Sequence, residues 1–553
     1  MIDVLFVTRL ASSEDTEAPE PDDLKLVLNG EIATVENLRR FANSSSYSET
    51  PRPDASGKGR TSPPVLTSIH IKEFLKKHDI SMVEIPCLED DFEKTLMALK
   101  EGVRIIAIST TWLSATNGAV QLRKAVKLLK SLSPDTPLIV GGMGVLKGLR
   151  IRQLVNENKL TGIYPQWLEK NSLTRRLSSR LLRKTCAQHF LLFQGKADSC
   201  IDGIALDDVG ETTIKNIIEA YKAGKDLHEV PNLVIPENND YSFTEYAEND
   251  VDLDSQIIDW QDHVSSLHGE EAPIRRGTGC PYKCAFCDFQ GLQKLRVRST
   301  ESLIAELKKL TQTGHRDVHF VDDNIAYSKK HLVEFTKAII AEHLDLCWRS
   351  FLRADTIDVE TASLLKNSGC KEIMMGVESG DPQVLMNMNK RTDPEKVMKA
   401  IHCLDAEGIR TRCYFIVGFP GECPKSIENT ASLISSFPSG DSARAFHRYY
   451  MFKFMVSPLS PVASPDMRRK YSLKGIGGYW SHSTMKSKEV FDAMRQLFIN
   501  VKGPSHLYSE NFPADCDAGK IRKVIELRDA VQKERIRGHA GDLDTLITAV
   551  RSI

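Results

Sequence analysis

One cluster of residues in this chain has a spacing that could do chemistry. The stretch GTGCPYKCAFCDF, at 277–289, places Cys280, Cys284 and Cys287 within eight residues. Loops this short cannot be closed by relaxed disulfide bonds. Structural zinc takes four ligands, usually in two separated pairs, and no nearby His or Cys completes such a set. Three thiolates on a tight loop suit a cubane iron–sulfur cluster with one iron left open, because an ordinary electron-transfer cluster takes four cysteines.

The elements that must position these cysteines are strands and helices in alternation, running from about 273 to 455. Helical apolar spacing occurs in ESLIAELKKLTQTG and PEKVMKAIHCLDAEG. About six successive strand–helix units predict a partial TIM-type (β/α)6 barrel with its site at the C-terminal strand ends. The predicted strands are PIRRG, DVHFVDD, LCWRSFLRAD, EIMMGVES, RCYFIVGFPG and RYYMFKFMVS.

The cysteine triplet, with Phe286 before its last member and a strand–helix series after it, resembles the radical S-adenosylmethionine (SAM) superfamily. The resemblance implies a 4Fe-4S cluster whose open iron is chelated by the amino and carboxylate groups of SAM. Reductive cleavage of SAM would then give a 5′-deoxyadenosyl radical. The same resemblance implies that Phe286 lies beside the cofactor.

Further positions at the predicted strand ends match the pattern of that superfamily. The resemblance implies contacts to the methionine ammonium, the methionine carboxylate, the ribose and the adenine of SAM. Each carboxylate among these positions could instead be a solvated loop residue or a helix N-cap. In the order of those contacts, the residues are Asp322 and Asp323, Arg353, Glu378 and Ser379, and Gly418 and Gly421.

A second alternating series precedes the cysteines and predicts a Rossmann-like (flavodoxin-like) parallel sheet covered on both faces. Its strands include DVLFV, ISMVEIP, VRIIAIST and PLIVGG. No G-x-G-x-x-G follows DVLFV, which argues against NAD. Open parallel sheets bind ligands at their C-terminal strand ends. The residues predicted there are Thr8, Ser109, Thr110, Thr111, Gly141, Gly142, Gly210 and Glu211.

A Rossmann-like domain directly before a radical SAM core resembles the cobalamin-dependent class of that superfamily. The resemblance implies that the strand-end residues just named bind the nucleotide tail of cobalamin. The chain has no D-x-H-x-x-G in this domain, so no histidine is offered as a lower cobalt ligand. A related scaffold that has lost cobalamin is the alternative interpretation.

Composition shifts predict four regions and two unusual segments. The segment at 43–64 is rich in Ser, Pro and Gly and is predicted to be a flexible loop. The basic helical stretch at 167–190 is interpreted as a solvated face rather than a nucleic-acid patch. The regions are a cobalamin-binding-like domain at 1–235, a linker at 236–270, the partial barrel at 271–460 and a mixed C-terminal substrate or capping region at 461–553.

The resemblance implies cobalamin-mediated methyl transfer to an unactivated carbon or phosphorus centre of a small, natural-product-type substrate. LVLNGEIATVENLRRF and GGYWSHSTM also resemble a branch that contains P-methyltransferases of phosphinate pathways. Substrate contacts are expected after 445, although core packing is the alternative for each aromatic. The candidates are His447, Tyr449, Tyr450, Trp480 and His482.

Two other classes of function stay open at this point. One is a radical SAM enzyme of different chemistry, such as cyclisation, ring contraction or rearrangement, with or without cobalamin. The more distant one is an iron–sulfur electron carrier or a zinc-binding adaptor. Formation of 5′-deoxyadenosine would separate the enzymes from the carrier and the adaptor.

Bulk properties restrict the partners. The net charge of 553 residues is −1, so no overall field attracts nucleic acid or an anionic membrane. No apolar run approaches the roughly 20 residues that span a bilayer, and the N-terminus does not look like a signal peptide. The remaining cysteines are scattered, which is typical of a reducing cytosol, and we expect a cytoplasmic protein. Its expected partners are the small-molecule substrate and an electron donor such as flavodoxin or ferredoxin.

Overall fold

The structure is a computed structural model of the chain. The predicted flexible loop, apart from Asn43, and the predicted basic stretch lie outside the described residues. The structure describes residues 1–11, 21–28, 30–43, 65–111, 113, 118–148, 200–206, 209–237, 240–247, 251–267, 269–289, 293–508, 510–512 and 516–553.

The N-terminal part is a seven-stranded sheet with the order β4-β1-β5-β6-β7-β8-β9. The first five of these strands are parallel, and β8 and β9 join as antiparallel strands. The strands of this sheet are β1 Ile2–Arg9, β4 Met82–Cys87, β5 Val103–Ser109, β6 Leu138–Gly141, β7 Gly203–Ala205, β8 Leu233–Glu237 and β9 Asp240–Phe243. A separate two-stranded sheet is formed by β2 Val27–Leu28 and β3 Glu31–Ile32. The helices are α1 Val35–Asn43, α2 Leu66–Lys76, α3 Phe92–Glu101, α4 Gly118–Leu132 and α5 Glu211–Lys222.

Both faces of this sheet are covered, as the sequence predicts. Successive side chains of a strand point to opposite faces. Leu5 and Val7 of β1 therefore enter one apolar cluster, whereas Val4 and Phe6 enter the other. Because both faces are buried, the strands read as continuous apolar runs.

The second part is a six-stranded parallel sheet with the order β10-β13-β14-β15-β16-β17, which confirms the predicted α/β class and partial barrel. The strands of this sheet are β10 Ala272–Ile274, β13 Asp317–Phe320, β14 Cys347–Phe351, β15 Cys370–Glu378, β16 Arg410–Val417 and β17 His447–Lys453. A separate antiparallel pair is formed by β11 Gly277–Thr278 and β12 Arg296–Val297. The helices are α6 Thr300–Gln312, α7 Lys329–Ala341, α8 Val359–Asn367, α9 Pro382–Asn387, α10 Pro394–Ala406 and α11 Pro424–Ser435.

The C-terminal part closes against the barrel and against a segment from the start of the chain. Residues 21–43 pack here, since Leu26 donates its N–H to the Tyr508 hydroxyl at 2.7 Å and Arg528 donates to the Ala33 carbonyl at 3.2 Å. The elements are α12 Pro465–Tyr471, β18 Lys474–Ile476, β19 Tyr479–Ser481, α13 Val490–Asn500, α14 Ala518–Ile536 and α15 Leu543–Arg551.

The structure differs from the predicted boundaries in two places. The segment predicted as a linker from 236 begins inside β8 and also contains β9, which completes the first sheet. The segment at 21–43, predicted as part of the first domain, packs instead on the C-terminal part. Within the described ranges, no helix has both the length and the apolar character needed to cross a bilayer.

Candidate active site

The cysteine loop is held at its base by a tight hairpin between β11 and β12. A Cβ on Gly277 would lie 2.4 Å from the carbonyl oxygen of Arg296. Gly279 has a φ of +75°, and a Cβ there would lie 2.8 Å from the carbonyl oxygen of Lys294. Any other residue at these two positions would push the strands apart. The glycines of the motif therefore fix the loop that carries the cysteines.

The three cysteines sit in a partly desolvated environment. Cys284 is buried, whereas Cys280 and Cys287 are half-buried. Burial raises the pKa of the Cys287 thiol to about 12 and also raises the pKa of Cys280. A bound cation would overcome this preference, because coordination deprotonates a thiol. The loop therefore suits a metal centre better than it suits reactive thiolates.

Three thiolates on one loop are the type of donor that a cubane cluster takes. Across the described ranges, no three His, Cys, Asp or Glu side chains are grouped so that they could hold one metal ion. A cubane cluster binds each cysteine at a different iron, so its thiolates stand further apart than the ligands of a single ion.

The two aspartates after β13 have different surroundings. The buried Asp322 carboxylate accepts hydrogen bonds from the backbone N–H groups of Arg276 at 2.9 Å and Gly277 at 2.7 Å. Burial raises the pKa of Asp322 to about 6. Asp322 thus ties the end of β13 to the strand that leads into the cysteines. Asp323 is exposed at the same strand end, and its charge acts on Cys280 and Cys287.

Arg353 lies against the cysteine loop. Its guanidinium is 4.0 Å from the ring centroid of Tyr282, which stands between the first two cysteines. Arg353 also donates to the Lys390 carbonyl at 2.6 Å and pairs with Asp355 at 2.9 Å. The structure thus brings Arg353 to the predicted site with three contacts already made.

Glu378 also comes to this site, at the C-terminal end of β15. Its carboxylate pairs with the Lys390 ammonium at 2.8 Å, and that ammonium is 5.7 Å from the ring centroid of Phe286. The neighbouring Ser379 is fully buried and accepts from the Asp381 N–H at 3.1 Å. Glu378 and Phe286 are therefore joined through Lys390, whereas Ser379 contacts the backbone of the next turn.

The loop after β16 packs under the C-terminal hairpin. Gly418 has a φ of +100°, and a Cβ there would lie 2.8 Å from the Trp480 ring. The Trp480 and His482 rings stack at 4.9 Å, and His482 Nε2 donates to the Gly418 carbonyl at 3.0 Å. Gly421 donates its N–H to Thr484 at 3.2 Å. Trp480 and His482 thus shape this loop rather than face open space.

The remaining substrate candidates lie elsewhere. His447 begins β17, at the strand end opposite the cysteines, and its ring contacts Thr411 at 2.9 Å and Asp405 at 3.1 Å. Tyr449 is completely buried. Tyr450 lies beside Tyr414 with ring centroids 6.2 Å apart. The structure does not bring His447 to the cysteine loop.

A cavity of about 130 Å³ opens at the C-terminal edge of the first sheet, and its lining is mostly apolar. Two of the lining residues, Arg275 and Gln293, come from the barrel side and flank the cysteine loop. From the first domain, the lining includes Phe6, Ile71, Ser109, Thr111, Ile139, Gly141, Gly142, Ala205, Gly210, Glu211 and Ile214.

Six of the eight residues predicted for this edge line the cavity, and Thr8 and Thr110 do not. Thr8 is fully buried in β1. Thr110 donates its hydroxyl to the Gly141 carbonyl at 2.7 Å and accepts from the Val145 N–H at 3.1 Å. Thr110 thus joins the two strand-end loops that form the wall.

Close approach of these loops depends on glycine. Gly142 has a φ of +97°, and a Cβ there would lie 2.7 Å from Thr111 Oγ1. A Cβ on Gly144 would lie 2.9 Å from the Thr110 carbonyl. The cavity lining combines apolar side chains with the polar side chains of Ser109, Thr111 and Glu211. Such a mixed lining fits the base, the ribose and the phosphate of a cobalamin tail.

Arg275 connects the cavity to the barrel. Its guanidinium lies 3.8 Å from Glu211 Oε1, and its Nε has no hydrogen-bond partner among the described residues. Burial lowers the pKa of Arg275. A buried guanidinium with a free N–H suits an anionic group, such as a phosphate, at the mouth of the cavity.

Sequence reasoning does not identify Arg275, Tyr282 or Lys390. Arg275 lies just before the cysteine motif and Tyr282 lies within it, so their positions in the sequence could have identified them. Lys390 lies more than 100 residues after the cysteines in a loop and offered no local signal. Lys390 reaches the site only when β15 and the following loop fold against Phe286.

The family model of the Radical SAM superfamily matches residues 274–434. That range begins at the end of β10 and ends within α11, so it covers the cysteine loop and most of the barrel.

Two curated relatives match parts of the chain. An uncharacterized methyltransferase of Pyrococcus horikoshii is 27% identical over 239 residues, covering 42% of this chain and 52% of the relative. The anaerobic magnesium-protoporphyrin IX monomethyl ester cyclase of Cereibacter sphaeroides is 27% identical over 236 residues, covering 40% of this chain and 39% of the relative. The chain thus spans about half the length, or less, of these relatives.

A solved structure shares the fold over most of the chain. It is the radical SAM methyltransferase TsrM from Kitasatospora setae, determined with cobalamin and a [4Fe-4S] cluster bound. The TM-score is 0.54 at 14% sequence identity, and the match covers 83% of this chain and 77% of TsrM. Likeness at this identity shows a common fold.

Proposed function

We propose, from the premise that residues 274–434 form a domain of the radical SAM superfamily, that the chain is a cobalamin-dependent radical methyltransferase of a small molecule. The finer proposal is that the methyl group goes to an unactivated carbon or phosphorus centre. One observation carries the cobalamin part, which is the cavity lined from both domains.

That cavity supports the proposal because of where it lies. Ser109, Thr111 and Gly142 belong to the C-terminal edge of the first sheet, and Arg275 lies two residues before the cysteine loop begins. A nucleotide tail in the cavity would therefore hold the attached corrin between the first sheet and the cysteine loop. A closed space between two domains also excludes water, which protects reactive species.

The residues of the cysteine loop would hold the cluster and SAM. When bound, a 4Fe-4S cluster supplies one electron to SAM and yields the 5′-deoxyadenosyl radical. Cys280, Cys284 and Cys287 would bind the cluster, and Asp323 would face the SAM ammonium. Glu378 would orient the ribose or the methionine group. Asp322 and Arg353 would keep the loop in place through the contacts already described.

The first domain would hold cobalamin at the strand-end residues that line its cavity. When bound, cobalamin carries the methyl group between SAM and the substrate. Arg275 would face the phosphate, and Ile71, Ile139 and Ile214 would enclose the base. The adenine of SAM would lie against the loop that contains Gly418 and Gly421, at the C-terminal end of β16.

We further propose that a small one-electron donor, such as flavodoxin or ferredoxin, reduces the protein. Trp480 and His482 would act on the substrate by shaping the Gly418 loop on which they pack. Tyr450 remains a candidate substrate contact, which it would make from the interior of the barrel.

A second candidate function is a radical SAM enzyme of other chemistry, such as cyclisation. The observation that favours it is that one relative of 27% identity is named a cyclase. The cavity in the first domain does not distinguish these reactions.

Anaerobic reconstitution with iron and sulfide, followed by product analysis, tests the proposal. The protein would be incubated with SAM, dithionite and hydroxocobalamin. The methyltransferase proposal expects a retained corrinoid absorption band, 5′-deoxyadenosine and S-adenosylhomocysteine. Formation of 5′-deoxyadenosine without a corrinoid band or S-adenosylhomocysteine would favour the second candidate. Absence of 5′-deoxyadenosine would contradict both.

A further inference from the structure

The carboxylate of Asp288 stands where three parts of the chain meet. Asp288 directly follows Cys287, the last cysteine of the loop. Its Oδ2 is 3.1 Å from the Lys147 ammonium, which belongs to the first domain. The same oxygen accepts a hydrogen bond from the Ser457 hydroxyl at 3.0 Å, just after the last barrel strand.

Lys147 makes a second contact with the same loop. Its ammonium lies 5.4 Å from the ring centroid of Phe289. The side chains of Lys147 and Asp288 are only 20% and 21% exposed, so solvent screens this pair less than it screens a surface ion pair. The Lys147 charge is therefore fixed beside the third cysteine by two neighbouring residues.

We propose that Lys147 is a positioning residue for the cluster and that its charge, held through Asp288, raises the reduction potential of the cluster. The inference rests on the cluster assigned in the proposed function. It goes beyond that function by giving the first domain a part in the electron transfer.

The physical reason is the change of charge on reduction. Adding one electron makes the cluster more negative, and the electron comes from the external one-electron donor. A nearby positive charge stabilises the more negative state, and net charge and solvent exposure are known determinants of cluster potentials. Asp288 alone would disfavour reduction, and Lys147 neutralises it. The domain that carries the cobalamin-type cavity thus also prepares the cluster to accept an electron.

A reductive titration followed by electron paramagnetic resonance tests the inference on the reconstituted full chain. Lys147→Met removes the ammonium and keeps a side chain of similar length. Lys147→Arg keeps the charge. Lys215→Met is the matched control, because it removes one positive charge of similar exposure from the same domain, where Lys215 pairs with Glu219 on α5.

We expect Lys147→Met to bind iron and sulfide as the wild type does but to be about tenfold harder to reduce at a given potential. For one electron this is a shift of about 59 mV to more negative potential. Lys147→Arg should restore the wild-type potential, and Asp288→Asn should shift the potential the other way. Lys215→Met should leave it unchanged.

Two results would overturn the inference. The first is that Lys147→Met binds a full complement of cluster and the reduction potential of that cluster equals the wild-type value. The second is that Lys215→Met shifts the potential as much as Lys147→Met does, because such a shift would reflect the overall charge of the protein. Failure of the wild type to assemble a cluster would instead contradict the proposed function.

Discussion

The Glu378 carboxylate and the Lys390 ammonium form an ion pair of 2.8 Å, and neither side chain is more than a tenth exposed. Glu378 has a φ of +69°, and the pairing of β15 with β16 shifts register at this point. A non-glycine residue held in this conformation stores strain, which recurs at functional sites. The bend turns Glu378 toward Lys390, and Lys390 in turn toward Phe286.

This pair yields a prediction on stability. Lys390→Met should lower the free energy of unfolding by about 3 kcal/mol, because it leaves a buried carboxylate without its partner. Lys396→Met, which removes an exposed pair with Asp393, should change it far less, because solvent screens a surface ion pair. Urea unfolding of both variants under argon measures the difference. Equal effects in the two variants would show that the Glu378 pair is not a buried one.

The cysteine assignment predicts which thiol matters. Cys284→Ala should abolish both cluster assembly and 5′-deoxyadenosine formation. Cys423→Ser is the control, since Cys423 lies at the N-cap of α11, where serine is favoured. Iron and sulfide analysis of the two purified variants checks this. Iron in Cys284→Ala at the level of Cys423→Ser would place the cluster elsewhere.

The two aspartates after β13 should behave differently. Asp322→Asn should destabilise the protein by about 1–3 kcal/mol, because the amide keeps only one of the two oxygens that accept hydrogen bonds from buried backbone N–H groups. Asp323→Asn should change stability by less than about 0.5 kcal/mol but weaken SAM binding. Thermal unfolding and equilibrium dialysis with labelled SAM separate the two effects. If Asp322→Asn weakened SAM binding and Asp323→Asn lowered the stability, the two aspartates would have the opposite roles.

The cavity of the first domain predicts a steric effect. Gly142→Ala should greatly weaken corrinoid binding, since its Cβ would lie 2.7 Å from Thr111 Oγ1. Gly210→Ala has the same kind of positive φ but no atom within 4 Å of the added Cβ, so it should bind better than Gly142→Ala. Dialysis against hydroxocobalamin, read by visible absorption, compares them. Equal binding by the two variants would argue that the tail lies outside this cavity.

Glu422 predicts a pH dependence of stability. Burial raises its pKa from 4.5 to about 8. The folded state therefore binds the proton more tightly than the unfolded state, and stability from this group falls as pH rises from 4.5 to 8. The free energy of unfolding of Glu422→Gln should equal that of the wild type near pH 4.5. Above pH 8 it should exceed the wild-type value by a few kcal/mol. Urea unfolding across this range, with exposed Glu428→Gln as control, measures the gap. A gap that does not grow with pH would contradict the buried, neutral side chain.

Much of the fold follows from local sequence signals, and part of the site does not. The barrel strands are apolar runs between helices, and the cysteines share one short loop, so both are visible in the sequence. The sequence does not predict strands β8 and β9, because Pro, Asn and acidic residues around 236–240 are typical of an irregular segment. The edge position of β9 tolerates such a composition.

The missed site residues depend on contacts between distant segments. Lys147, Arg275 and Lys390 reach the site only after the two domains and the strand-end loops have packed. The position of His447 depends on where β17 begins. Because the strand starts at His447, that residue lies at the end away from the cysteines. A strand pattern in the sequence shows which residues form the strand, but it does not show which end of the strand faces the site.

The most direct measurement of the central claim is electron paramagnetic resonance of the reduced, reconstituted protein before and after SAM is added. An iron corner without a protein ligand predicts that SAM shifts the spectrum of a 4Fe-4S cluster, and that S-adenosylhomocysteine lacking the sulfonium is not cleaved. A cluster spectrum that SAM leaves unchanged, or purified protein that contains zinc and no iron, would contradict the account.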